Sequence, residues 1–127
     1  MTQLLMVGFG GFFGSISRYL LAGWVGRSFP QALHGVGTIT VNLLGCFAIG
    51  LLGSIFTMKM HLPLEQKLLL ITGFLGGFTT FSAFGLEAYY LYRSNEFQQL
   101  ILYLSTSLIG GMIMVAMGMT LAHWLFK

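Results

Sequence analysis

The stretch Gly73-Phe74-Leu75-Gly76-Gly77-Phe78-Thr79-Thr80-Phe81-Ser82-Ala83-Phe84-Gly85 carries no charge and lies in a segment apolar enough to sit in a bilayer. Gly76 and Gly77 weaken a helix there. Thr79 and Thr80 follow at once, with hydroxyls able to bond backbone groups that a break would free. Lipid does not tolerate unpaired N–H or C=O groups, so irregular backbone at membrane depth needs protein or a polar cavity around it. Discontinuous membrane helices commonly mark ion or substrate sites. The segment therefore points to a small transport protein with its site at the break.

Composition supports a membrane reading. Of 127 residues, 56% are hydrophobic and only 7% charged, and the mean hydropathy is +0.84. A soluble domain of this size needs more surface charge. The charged residues are Arg18, Arg27, Lys59, Glu65, Lys67, Glu87, Arg93, Glu96 and Lys127. A spanning helix takes about 20 apolar residues, and the gaps between charges supply four such spans: residues 4–25, 35–58, 68–92 and 97–126. The chain reads as one four-helix transmembrane domain over residues 1–127, all-α, with the third helix broken mid-membrane. Turns are expected at 28–34 around Pro30, at 59–66 around Pro63, and at Ser94-Asn95-Glu96.

Other features exclude more than they assert. The first span has no basic residue ahead of its apolar part and no clear small-x-small cleavage site, so it reads as structure and not a signal peptide. The lone cysteine, Cys46, permits no intrachain disulfide and reads as a packing residue. The pI of about 9.3 comes from a net charge of only +3 without a basic cluster, which gives no footprint for nucleic acid.

Orientation is balanced. Four spans put Lys59, Lys67 and Lys127 on one side. Arg27 and Arg93 fall on the other, with Arg18 nearer to them, since nine helical residues before Arg27 are roughly 13 Å. The positive-inside rule needs an asymmetry, and three basic residues face three. Either another feature sets one orientation, or copies insert both ways and pair as an antiparallel dimer. Gly10 with Gly14, Gly11 with Ser15, and Gly110, Gly111 and Gly118 offer small surfaces for close helix packing in lipid.

Polar residues at membrane depth define a candidate path. Thr38 and Asn42 are one turn apart on one face, as are Tyr103 and Ser107. With Ser82, these residues can line one track with donors; the alternative for Asn42 is a bond between helices. Phe81 and Phe84 stand at i, i+3 and are either packing residues or rings whose positive edges face a pathway. Neutral donors and ring edges suit a small, strongly hydrated anion, which a channel must hold loosely enough to release.

At this point the residues resemble a known family. Gly76-Gly77-Phe78-Thr79-Thr80-Phe81-Ser82-Ala83-Phe84 is similar to the signature of the Fluc (CrcB) fluoride channels, and so is Gly37-Thr38-Ile39-Thr40-Val41-Asn42-Leu43-Leu44-Gly45. The resemblance covers essentially the whole chain, including four spans, Arg18 and the fourth-span glycines. It implies a dual-topology antiparallel homodimer with two pores in the lipid of the bacterial inner membrane, passively exporting cytoplasmic fluoride and so conferring fluoride resistance. It also implies that Phe81 and Phe84 line the pores with Asn42 as polar partner, and that Thr38, Tyr103 and Ser107 belong to a polar track. The backbone carbonyls of Gly76 and Thr79 would ligate a structural sodium ion at the dimer centre, two oxygens from each subunit. Ala83 and Gly111 depart from the family's usual hydroxyl residues, which thins the track. Arg18 and Glu87 become vestibule candidates. An arginine at a helix centre costs about 2.5–3.5 kcal/mol, and near a helix end it snorkels.

Rival functions lack their chemistry. A proton-coupled multidrug exporter needs an embedded carboxylate, and the first span has none; Glu87 is the one acid near any span. An intramembrane enzyme needs a nucleophile–base pair or clustered metal ligands, but His34, His61 and His123 lie near span ends, far apart in sequence. No catalytic residue is expected. A packing subunit of a larger complex explains the glycines but not the aligned donors.

Overall fold

The computed structural model describes residues 1–58 and 63–126. Four helices in it are long and apolar enough to cross a membrane. The first, α1, is Thr2–Ser28, and the second, α2, is Val36–Met58. The third is composite: α3 (Leu64–Lys67), a π-helical segment (Leu68–Leu75), α4 (Gly76–Phe78) and α5 (Phe81–Arg93). The fourth, α6, is Phe97–Leu125. Twenty-seven residues at about 1.5 Å each give α1 a length of roughly 40 Å, more than a hydrocarbon core requires.

The expected turns have local causes. Gly35 ends the first linker at φ +72° and Asn95 turns the third at φ 58°, both left-handed conformations that glycine and asparagine adopt at least cost. Pro63 precedes the first turn of α3, so the third helix begins four residues earlier than the apolar run alone suggests. Lys59, His61 and Lys127 lie outside the described residues.

Helix α1 packs against the π segment and α4, α2 packs against α6, and α1–α2 and α5–α6 contacts join the two pairs. Glycines set the separations. A Cβ on Gly10 would meet the carbonyl oxygen of Leu69 and, at 2.8 Å, the Phe74 nitrogen; one on Gly14 would meet the Phe74 carbonyl. The other pairing is reciprocal: Gly50 lies against the Val115 carbonyl and Gly118 against that of Phe47. With no hydrophobic drive between helices in lipid, such close backbone approach supplies the packing energy. The buried cluster is small, Ile39, Leu91 and Tyr103, while Phe9, Phe12, Leu102, Ile109 and Met112 are exposed, as lipid-facing residues would be.

Two details of the third helix differ from the sequence reading. The break falls at Thr79 and Thr80, both extended (φ −84°, ψ 157° and φ −147°, ψ 112°), and not at the glycines, which remain helical. Gly77 instead serves packing, because a Cβ there would lie 2.6 Å from the Gly11 carbonyl oxygen and 3.1 Å from Ser15 Oγ. The π segment ahead of the break was not expected, since a uniformly apolar Leu-Leu-Leu-Ile run carries no signal that separates one helical period from another.

Candidate functional site

The break is held by side chains from other helices. Asn42, on α2, takes both backbone groups of Thr80: the Thr80 N–H donates to Asn42 Oδ1 at 2.8 Å, and Asn42 Nδ2 donates to the Thr80 carbonyl at 3.0 Å. One Nδ2 hydrogen is left over, because an amide nitrogen carries two. The threonines close the rest. Thr79 Oγ1 donates to the Leu75 carbonyl at 2.9 Å, and Thr80 Oγ1 caps α5 by accepting the Ala83 N–H at 3.2 Å, the usual role of an N-cap hydroxyl.

Beside the break a groove of about 440 Å³ runs between α2, the third helix and α6, and it brings Asn42, Gly76, Thr79, Phe81, Phe84 and Ser107 together. The Phe81 and Phe84 ring centroids are 5.4 Å apart. Phe84 also stacks on Tyr103, at 5.4 Å and 18° between planes, so one face of its ring is covered while the residue still lines the groove. Ser107 Oγ is buried and has no hydrogen-bond partner. A buried donor left unpaired costs about 1–3 kcal/mol.

Thr38 and Tyr103 do not share that groove. Both donate to Glu87: Tyr103 OH to Oε2 at 2.6 Å and Thr38 Oγ1 to Oε1 at 2.8 Å. Phe84, stacked on Tyr103, links this cluster to the groove. Glu87 and Thr38 also line a second cavity, of about 460 Å³, with His34 and Glu96 at the end where α2 begins. Gly35 closes over the cluster, and a Cβ there would come within 2.5 Å of Glu87 Oε2 and 2.6 Å of Tyr103 Cε2. Arg18 is half-buried, with Nε donating to the Gly77 carbonyl at 3.0 Å. It lines a third, smaller cavity with Thr38 and Thr80.

The family model described as "CrcB-like protein, Camphor Resistance (CrcB)" matches residues 5–119. The chain belongs to the CrcB family. Relatives are similar across nearly all of it. The "Fluoride-specific ion channel FluC" of Chlorobium chlorochromatii is 42% identical over 124 residues, spanning 98% of this chain and 95% of that protein. Proteins of the same name from Prosthecochloris aestuarii and Chloroflexus aurantiacus are 44% and 39% identical, over 96% and 98% of this chain and 94% and 98% of theirs.

Within this CrcB-family chain the sequence-derived candidates fall into separate sets. Asn42, Phe81, Phe84 and Ser107 share the groove with the Gly76 and Thr79 backbone. Thr38 and Tyr103 sit on Glu87. Ser82 is exposed, and its hydroxyl lies 3.3 Å from Thr80 Oγ1, so it stands beside the break and not along the groove. The sequence reading named Glu87 as a vestibule candidate but missed that it is the acceptor that organises Thr38 and Tyr103. Glu87 lies one turn after Phe84, and that spacing was the available signal.

The resemblance gives a cation the Gly76 and Thr79 carbonyls, and the backbone around both is irregular. In an unbroken α-helix the Thr80 N–H would bond the Gly76 carbonyl and the Ala83 N–H would bond that of Thr79. Here both donors are diverted, to Asn42 Oδ1 and Thr80 Oγ1. Gly76 and Thr79 are thus released from the helical ladder while Gly77, between them, is occupied by Arg18. Hard oxygen donors of this kind fit an alkali cation.

Proposed function

We propose that this protein is a fluoride-selective channel that lets cytoplasmic fluoride leave down its electrochemical gradient and so protects the cell from fluoride. It is an ion channel and not an enzyme, and it sits in the bacterial inner membrane as a multi-pass protein. The observation that carries the reading at the level of residues is the meeting of Asn42, Ser107 and the Phe81–Phe84 pair in one groove beside the break. Neutral donors and ring edges attract an anion without the grip of a fixed cation, as permeation requires.

In this reading Asn42, Phe81, Phe84 and Ser107 face the ion. Thr38 and Tyr103 stand where the Glu87 cavity meets the track, and Ser82 stands at its margin. Glu87 and Arg18 shape the vestibule side. The working unit is an antiparallel homodimer of dual topology. Supporting this, the groove is open along one side, and Phe81 is 81% exposed although it lines the candidate site; a second copy would cover it. A sodium ion bound by the Gly76 and Thr79 carbonyls of both copies would supply positive charge that ties the two breaks together. The chain's own part is to free and aim those carbonyls, through Asn42 and Thr80.

The test is fluoride efflux from vesicles holding the purified protein. An imposed voltage should drive fluoride out in the absence of a proton gradient, because the ion-facing residues Asn42, Phe81, Phe84 and Ser107 include no proton carrier. Efflux that depends strictly on a proton gradient would replace the channel with a coupled exporter, and no fluoride efflux would leave a packing role.

A further inference from the structure

Arg18 is a vestibule candidate by sequence, yet its side chain is committed to the backbone of the broken helix. Its Nε–H ends on the Gly77 carbonyl, 3.0 Å away. Gly77 is the middle residue of the α4 turn, two positions before the extended Thr79. Around that bond the backbones of α1 and α4 are in close contact. A Cβ on Gly77 would fall 2.6 Å from the Gly11 carbonyl oxygen, 3.0 Å from Gly11 Cα and 3.1 Å from Ser15 Oγ. Gly11, Ser15 and Arg18 form one stripe on α1 at i, i+4, i+7, and Arg18 is the member that contributes a hydrogen bond.

We infer that Arg18 is a positioning residue: it fastens the Gly77 carbonyl to α1, opposite the Asn42 clamp on Thr80, and thereby fixes where the broken helix presents Phe81 and the freed carbonyls. The bond has a local necessity. Phe81 begins a new helix, so the Gly77 carbonyl does not receive the i+4 donor of a continuous helix and needs another at membrane depth. Two helices thus grip the short interval between Gly77 and Thr80 from two sides, α1 through Arg18 and α2 through Asn42. Slack at either grip moves Phe81, which lies immediately after the interval.

This inference rests on the channel reading, and its test separates the two. Glutamine carries an N–H donor at the same chain position as arginine Nε but no charge, and methionine has the same length with neither. Fluoride efflux would be compared for the wild type, Arg18→Gln and Arg18→Met at low and high ionic strength, with dimer retention checked by size exclusion. Wild-type protein that passes no fluoride refutes the channel reading itself. Given wild-type flux, Arg18→Gln should stay within about threefold of it and Arg18→Met should fall about tenfold or more, equivalent to ~1.4 kcal/mol on the barrier. The wild-type to Arg18→Gln ratio should not change with salt, since a short internal bond is not screened as a surface field is. If Arg18→Gln loses flux as heavily as Arg18→Met while remaining dimeric, or if its deficit vanishes at high salt, Arg18 acts by charge and the positioning role is wrong. Should Arg18→Met fail to fold, Arg18→Gln and its salt dependence decide the matter alone.

Discussion

The side-chain amide of Asn42 satisfies both backbone groups of Thr80, accepting the N–H at 2.8 Å and donating to the carbonyl at 3.0 Å. An amide matches a peptide unit's donor and acceptor together and carries a further N–H, so the same residue can mend a broken helix and keep a donor to spare.

Substituting Asn42 should therefore damage stability and conduction together. Asn42→Leu leaves a donor and an acceptor of Thr80 unpaired, at about 1–3 kcal/mol each. Asn42→Asp keeps an acceptor for the Thr80 N–H but sets a carboxylate against the Thr80 carbonyl. Both variants should melt below the wild type in detergent, Asn42→Leu by more, and both should lose about tenfold or more in fluoride efflux. An unchanged melting temperature in Asn42→Leu would show that the clamp contributes nothing to the fold.

Phe81→Ile and Phe84→Ile test the rings. Isoleucine keeps an apolar side chain of bulk but has no polarised edge. Either change should cut efflux about tenfold or more, and Phe84→Ile should also lower stability, because Phe84 stacks on Tyr103. Full efflux in both variants would return the rings to ordinary packing.

Glu87 is the shared acceptor for Tyr103 and Thr38. Glu87→Ala strands two hydroxyls, one on the fully buried Tyr103, and should destabilise by about 1–3 kcal/mol. Once Glu87→Ala is in place, adding Tyr103→Phe should cost little further, since the hydroxyl it removes has already lost its partner. Unfolding midpoints of the two single variants and the double variant measure this coupling; additive losses would mean that the Tyr103–Glu87 bond carries no stability.

Much of the architecture was legible from the scarcity of charge, which isolates four apolar runs, and from Gly76-Gly77-Phe78-Thr79-Thr80, which marks the third as discontinuous. The capping work of the threonines was legible too, because a hydroxyl at a helix start has few other uses. The break's location relative to the glycines was not: Gly77 is small because Gly11 lies against it, a tertiary demand that local propensity cannot express. The grouping of Thr38 with Tyr103 followed neither residue's own face but the carboxylate of Glu87, 49 and 16 positions away. Nor does sequence show why position 111 lacks a hydroxyl. A Cβ there would make only an ordinary contact, 3.4 Å from Cys46 Sγ, so the structure gives no steric reason for the missing hydroxyl.

Topology is the prediction that depends least on the details of the site. The basic residues Lys59, Lys67 and Lys127 oppose Arg18, Arg27 and Arg93, so insertion has little bias, and an antiparallel pair needs both orientations in one membrane. Two or three lysines added beside Lys127 should hold that end in the cytoplasm; the same addition beside Arg93 should favour the reverse. Each biased variant alone should fail to protect a fluoride-sensitive bacterial host, and the two together should restore resistance, because only together do they supply both halves of the dimer. Reporter fusions at the C-terminal end would verify the orientation of each. A variant shown to insert wholly one way that still confers resistance by itself would rule out the antiparallel dimer, and the open side of the groove at Phe81 would then have to be closed by a parallel copy or by lipid.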